Sequence, residues 1–510
     1  MTHAALEGVL DTLPANFPGP GGAVAVVLRG VPIALRAWGW ADVERRVAFT
    51  DRTLFRICSI TKQFTCAAAI DLDTESHIAA SLPHLPVRPN AAQLMHNQSG
   101  LRDYWATTSI CGAAIERTLD EADAARQIAL SRTVQFDPGM RYSYCNQNFR
   151  ILGNAAEAVA GHSLEALIRA RVLDPAGMAG ARMVADTAVM PDGTLGYEGS
   201  VADGFRPAVN RITWTGDAGL VASLSDMAAY EAWVDATRDD AGSLYRRLSA
   251  PVTFADGAPA AYGYGLARFE LCGRAATGHG GGLRGWSSFR CHVASERLSV
   301  VVLFNHHADA RAAVGRVAAA ILGQPARPSA PAADPSWNAT YEEPETGLVV
   351  RAEAMPDGQV ALWFAASRPE MLDLTGPDAA GSGPVRIARD GGVLTMARAG
   401  ENMTTRLVPL TGTPRADLAG TFANAEYGAE LTCIPSGGAI YAAFSGWLGS
   451  GLMQMLIPAG PDLWRMPCPR ALDHSPPGDW TLRVRRDPAG RVAGVTAGCW
   501  LARGIGFAAS

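Results

Sequence analysis

Lysine is nearly absent: Lys62 is the only one in 510 residues, and the other 43 of the 44 basic side chains are arginine. An excess of one charge is also missing. The 44 Lys and Arg stand against 49 Asp and Glu, with no block of like charge, which excludes a nucleic-acid or acidic-membrane surface. Apolar runs such as 23–28 fall far short of the roughly 20 residues that span a bilayer. The chain does not open on a basic start followed by an apolar stretch, so an unexported, cytoplasmic protein is expected. Its nine cysteines never form C-x-x-C pairs and read as reduced core thiols. H-E-x-x-H, EF-hand and Walker patterns are missing, so neither metal nor cofactor is expected. No serine has glycine at both −2 and +2, which removes the nucleophile elbow of the α/β-hydrolases.

What is present divides the chain. A Pro- and Ala-rich stretch over 324–336 cannot continue a helix and reads as a linker behind a domain spanning 1–323. A second break near Thr411-Gly-Thr-Pro414 separates two strand-rich pieces, 337–412 and 417–510. The two pieces resemble each other and predict duplicated antiparallel barrels or sandwiches. In the first domain a hairpin is expected over 23–40, helices over 149–159, 162–172 and 225–236, and strands over 264–271, 286–293 and 298–305. An Ala-rich helix then runs through Leu322. A sheet built from both ends of the domain, with helices inserted between, is the simplest α+β packing.

Lys62 follows Ser59 by three residues in Phe55-Arg-Ile-Cys-Ser59-Ile-Thr-Lys62, at the head of an apolar-periodic helix. Residues three apart share a helix face, so the amine can fold back on the hydroxyl and take its proton. Arginine cannot, because it effectively never deprotonates. The plain alternative is that Ser59 is only a helix cap.

Two further segments carry suitable chemistry. Asp137-Pro-Gly-Met-Arg-Tyr142-Ser-Tyr144-Cys-Asn146 is a turn entering a helix, where Tyr144 can relay a proton and Asn146 can hold a substrate carbonyl or the lysine. A core tyrosine and an Asn cap are the alternative. Gly278-His279-Gly-Gly-Gly282-Leu-Arg284 places a histidine at a glycine run whose backbone can approach a ligand closely. Arg284 is a further substrate-binding candidate.

Ser59-x-x-Lys62, Tyr144-x-Asn146 and His279-x-Gly281, in this order, resemble the serine penicillin-recognising enzymes. Asn97-Gln-Ser-Gly-Leu-Arg-Asp-Tyr-Trp105, Gly196-Tyr-Glu-Gly199 and the terminal Gly498-Cys-Trp-Leu-Ala-Arg-Gly504 narrow the resemblance to bacterial D-stereospecific aminopeptidases, over nearly the whole chain. The resemblance implies a β-lactamase/penicillin-binding-protein-like catalytic domain followed by two eight-stranded antiparallel barrels, and a homodimer. It makes Ser59 the nucleophile, Lys62 its base, Tyr144 the proton relay and Asn146 a substrate-positioning group. The backbone N–H groups of Ser59 and Gly282 would form the oxyanion hole, and His279 would occupy the place of the lysine in the K-T-G element. It also brings loop 467–479 of the last barrel over the cleft, where Asp473 is the first candidate to meet a substrate ammonium and Asp217 the second. The segment 70–97, interrupted by Pro83, Pro86 and Pro89, looks shorter than its family counterpart and is expected to brace the Ser59 helix less well.

The expected activity is removal of N-terminal D-residues or glycine from small peptides, amides and esters through an acyl-enzyme. Alternatives are an esterase, β-lactamase or D,D-peptidase on the same residues, or a non-catalytic D-peptide or β-lactam binding protein. Lys62→Arg is expected to fold normally and to lose nearly all activity.

Overall fold

The computed structural model describes residues 3–324, 332–365, 369–390, 393–468, 471–472 and 478–509. Both ends of the first domain build one antiparallel sheet. Its strand order is Tyr262–Gly263, Leu266–Leu271, Arg274–Leu283, Trp286–Val293, Leu298–Phe304, Gly21–Leu28, Val31–Asp42 and Val47–Ala48. Gly21–Leu28 pairs with Leu298–Phe304 in the register Val24↔Val302.

These two central strands read as unbroken apolar runs because both faces of the sheet are covered. Val24, Val26, Val300 and Val302 pack on the helices His3–Asn16 and Ala310–Leu322. Ala25, Val27, Val301 and Leu303 face the inserted helices and share a core with Phe64 and Phe149.

The glycine run 280–282 lies inside the strand Arg274–Leu283. A β-carbon on Gly281 would stand 2.2 Å from the carbonyl oxygen of Ile57. Glycine is therefore needed here for close approach of two backbones, not for a turn.

Every residue of the helix Thr61–Ala69 is buried, and Ile78, Leu82 and Leu85 of the proline-interrupted segment join the same core. A short helix, Glu75–Ser81, packs on the helix Asn146–Ala160, which in turn packs on Thr61–Ala69.

Eight strands between Ala339 and Pro409 close into a barrel, with Ala339–Glu343 pairing to Met403–Pro409. The described residues of the last domain form a half-barrel, a sheet of ten short strands where eight were expected. Glycines 446, 449 and 451 and Pro458 break the chain there into short strands. Gln454–Met455 pairs with Ala439–Gly446, and Ile457–Gly460 with Leu463–Met466, so adjacent short strands link distant parts of the sheet. The apolar interior of this last domain, including Leu431, Phe444 and Phe507, is continuous with the core of the catalytic helices. The first barrel keeps a separate core around Val350, Leu362 and Leu394.

Candidate active site

Ser59 stands at a sharp entry to its helix. The strand Phe55–Arg56 pairs with Leu220–Ala222, and a 3-10 turn, Cys58–Ile60, leads into Thr61–Ala69. Cys58 has φ +51°, a left-handed conformation that costs a non-glycine residue roughly 1–2 kcal/mol. The strand carrying Gly281 presses on this turn, with the Gly281 β-carbon position 3.0 Å from Cys58 Cβ.

Lys62 is fully buried and its Nζ makes three short contacts: Ser59 Oγ at 2.9 Å, Asn146 Oδ1 at 2.8 Å and the Asp217 carbonyl oxygen at 2.8 Å. The last two are pure acceptors. A neutral amine has two N–H donors and one lone pair, so donating to both acceptors leaves the lone pair for Ser59. Tyr144 OH donates to the same Ser59 Oγ at 2.9 Å, and Lys62 Nζ lies 5.0 Å from the centre of the Tyr144 ring.

Asn146 is the first residue of the helix Asn146–Ala160 rather than a residue before it. Its backbone N–H and its Nδ2 both donate to Asp103 Oδ2, at 2.5 and 2.9 Å. Asp103 caps the helix Tyr104–Ile110 by accepting from the Trp105 N–H, and it is fully buried. Burial pushes its carboxyl up to about 6 against the hydrogen bonds from Asn146, which pull it down. The sequence reading assigned Asp103 no role, although it lies within the 97–105 motif; an acid beside Tyr-Trp carries no local sign that its partner is 43 residues away.

Asp217 is corrected as a substrate ligand. Its side chain is fully buried, accepting from Tyr104 OH at 2.6 Å and from the Thr215 N–H at 3.0 Å. It offers the site only its backbone carbonyl. The loop is pinned by Gly216, whose carbonyl accepts from Thr65 Oγ1 at 2.7 Å.

His279 is buried beside Tyr144, with ring centres 6.0 Å apart. Its Nδ1 lies 2.5 Å from the Gly280 carbonyl oxygen and its Nε2 3.0 Å from Tyr262 OH. This network assigns the proton to Nδ1 and leaves Nε2 to accept from Tyr262. Burial, reinforced by the charge of Lys62, lowers its pKa to about 3, so the ring is neutral at physiological pH.

Arg284 is turned away from a substrate-binding role in its described contacts. Its guanidinium is buried and donates to the carbonyls of Val209 at 3.1 Å, Ile115 at 2.6 Å and Ala471 at 3.4 Å. It thereby links the catalytic domain to Ala471 of the last domain. Asp473 itself lies outside the described residues. Among the described residues, no helix is long and apolar enough to cross a membrane, and no group of three or more His, Cys, Asp or Glu side chains is placed to hold a metal ion.

A serine, a buried lysine three residues on and a tyrosine meeting at one hydroxyl, beside an eight-stranded antiparallel sheet flanked by helices, define a serine hydrolase of β-lactamase architecture. Residues 10–324 match the Beta-lactamase family model, and residues 330–508 match that of D-aminopeptidase, domain B. The D-aminopeptidase of Gluconobacter oxydans (strain 621H) is 48% identical over 517 residues, covering 98% of both chains. That of Brucella ovis is 46% identical over 509 residues, again covering 98% of both. The chain belongs to the D-aminopeptidase family. Its fold is similar to that of the D-amino acid amidase from Ochrobactrum anthropi SV3 complexed with L-phenylalanine, with TM-score 0.52 and 20% identity over 63% of this chain and 99% of that one. The octameric penicillin-binding protein homologue from Pyrococcus abyssi gives TM-score 0.53 and 20% identity over 80% of this chain and 100% of the other.

Proposed function

We propose that this chain is a serine hydrolase that releases N-terminal D-residues, D-alanine-like or glycine, from small peptides, amides and esters through an acyl-enzyme on Ser59. The observation that carries the chemistry is the three-point hold on Lys62 Nζ, which directs the lone pair of the neutral amine to Ser59 Oγ.

Lys62 takes the Ser59 proton as Oγ bonds to the scissile carbonyl carbon. The resulting oxyanion is held by the N–H groups of Ser59 and Gly282, a pairing supported by the contact of the neighbouring Gly281 with the Ser59 turn. The C–N bond breaks as the proton passes from Lys62 through Tyr144 OH to the leaving amine. Water then attacks the ester with the same groups in reverse order, releasing the D-residue and restoring Ser59. Each positioned proton transfer is worth about 10²–10⁴ in rate.

The neutral His279 supports an amine-terminal substrate over a carboxylate-terminal one. Relatives with a lysine at this place use a cation for the carboxylate, and a ring with a pKa of about 3 cannot replace it. Asp473, one residue beyond the buried Leu472, is the proposed partner of the substrate ammonium. A reducing cytoplasmic setting, in keeping with nine cysteines scattered without C-x-x-C spacing, and a homodimer are the proposed environment and assembly.

The deciding experiment compares D-alanyl and L-alanyl p-nitroanilides and the N-acetylated D-substrate. Strong preference for the D-isomer with a free amine is expected. Equal turnover of both isomers, or retained turnover after acetylation, overturns the reading.

A further inference from the structure

An asparagine amide can present either its oxygen or its nitrogen to a neighbour, and Lys62 needs the oxygen. Nothing within Asn146 makes that choice. The choice comes from the far side of the side chain, where Asp103 Oδ2, an acceptor when ionised, receives Nδ2 at 2.9 Å together with the Asn146 backbone N–H at 2.5 Å. Oδ1 is thereby turned to Lys62 Nζ, 2.8 Å away. A flipped amide would set two donors against each other at Lys62. The amine would lose one of the two acceptors that occupy its N–H groups, and its lone pair would no longer be fixed on Ser59.

Asp103 is itself held from outside the catalytic domain. Its backbone N–H donates to the Leu501 carbonyl at 3.0 Å, and the preceding Arg102 donates through Nε to the Arg503 carbonyl at 2.7 Å. Both acceptors belong to the hairpin of Val492–Cys499 and Ala502–Ala509 in the last domain, Leu501 in its turn and Arg503 in its second strand. Arg503 in turn contacts Glu401 of the first barrel at 3.3 Å.

We infer that Asp103 is a positioning residue of the hydrolase: it orients the Asn146 amide so that Lys62 directs its lone pair at Ser59, and the C-terminal hairpin at Leu501 fixes Asp103 for that task. The inference rests on the acyl-enzyme reading of Ser59 and Lys62 but not on the substrate assigned above. The last domain is then part of the scaffold of the catalytic amine.

Asp103 also caps a helix, and the test must separate the two duties. Asp103→Ser keeps an oxygen able to cap the Trp105 N–H but is too short to reach Asn146 Nδ2. Asp103→Asn keeps the shape and removes the charge. The rate of Ser59 labelling by a fluorophosphonate reads activation of the nucleophile without any assumption about substrate; kcat and KM on D-alanyl p-nitroanilide are read beside it. Both variants are expected to slow labelling and kcat about 10–100-fold while KM stays within about two-fold, as for a displaced catalytic group.

Loss of the Asp103 anion removes a partner of the lysine cation, so Lys62 binds its proton less tightly and the acid limb of the labelling profile moves to lower pH. In an Asn146→Ala background, at a pH above the acid limb where the charge effect on Lys62 is not felt, Asp103→Ser is expected to slow labelling no further, because its positioning effect passes through the missing amide. Wild-type labelling by both Asp103 variants in folded protein, or effects that multiply in the double variant, overturns the inference. Those outcomes differ from failure of the D-aminopeptidase reading, in which the wild type labels at Ser59 but does not prefer the D-amide.

Discussion

Lys62 and Tyr144 converge on one oxygen: Nζ of the first and OH of the second each lie 2.9 Å from Ser59 Oγ, and the amine rests over the phenol ring. A proton leaving the serine thus has a base and a relay within one hydrogen bond of each other's partner. On the proposed mechanism, this arrangement predicts that the single lysine of the chain is not exchangeable for arginine.

Lys62→Arg is expected to lower kcat about 10³-fold or more, since guanidinium does not accept the serine proton. Normal folding, expected from sequence, is revised by the burial of Lys62 among three fixed partners. A larger, planar group there overpacks the core, typically at about 1–3 kcal/mol. Thermal melts should show a folded protein with a lower Tm; wild-type turnover would remove the assignment of the base.

Gly281→Ala tests the contact between the glycine strand and the nucleophile turn. Its β-carbon would meet Ile57 O at 2.2 Å and Ser288 Oγ at 2.4 Å, and backbone cannot yield without moving Ser59. A fall of about 10²-fold in kcat is expected for a displacement of this kind. Gly280→Ala is the control, because its nearest neighbour is a ring carbon of Phe289 at 3.2 Å that can shift slightly. Equal activity of the two variants would contradict the argument.

Stability should fall as the pH is lowered from about 6.5 toward 4. Burial depresses the pKa of His279 to about 3 and those of His96, His292 and His306 to about 4, against about 6.5 in the unfolded chain. Between these values the unfolded state binds more protons, so each histidine contributes stability above pH 6.5 that is lost on acidification. Asp103 works in the opposite direction. Its folded pKa of about 6 exceeds the unfolded value of about 3.9, so acid relieves the cost of burying its charge. Four groups outweigh one, and Tm measured at pH 7, 6 and 5 should decline; a constant or rising Tm would refute the balance.

Asp473→Asn is expected to raise KM at least about ten-fold for D-alanyl p-nitroanilide, the order of effect for a lost charge-assisted hydrogen bond. An N-acylated ester, which has no ammonium, should be hydrolysed as by the wild type. Equal losses on both substrates would assign Asp473 a structural role.

The chemistry-bearing residues were legible because their types are irreplaceable at short spacing. Ser59 and Lys62 are one helix turn apart, and Tyr144 and Asn146 flank a helix start, so local geometry alone brings each pair together. The central strands were legible from their apolar runs. The glycine run 280–282 was read as letting the backbone approach a ligand closely; the backbone it meets, more than 220 residues away at Ile57, is given by no local spacing. Asp217 was misjudged for a similar reason: an acid in a Thr-Gly-Asp-Ala-Gly loop reads as exposed, and only tertiary contact with Tyr104 takes the carboxylate out of reach.

The sequence by itself singled out one amine, three residues from a serine, as the candidate base, because the arginines that make up the rest of its Lys and Arg set do not surrender a proton at neutral pH. Tertiary structure decided how the amine is held and what surrounds it. The Asp217 carbonyl, the Asn146 amide turned by Asp103 and the Leu501 hairpin behind it come from separate parts of the chain. His279 is neutral for the same kind of reason, since its charge state follows from burial and from the nearby lysine, which no spacing of letters encodes.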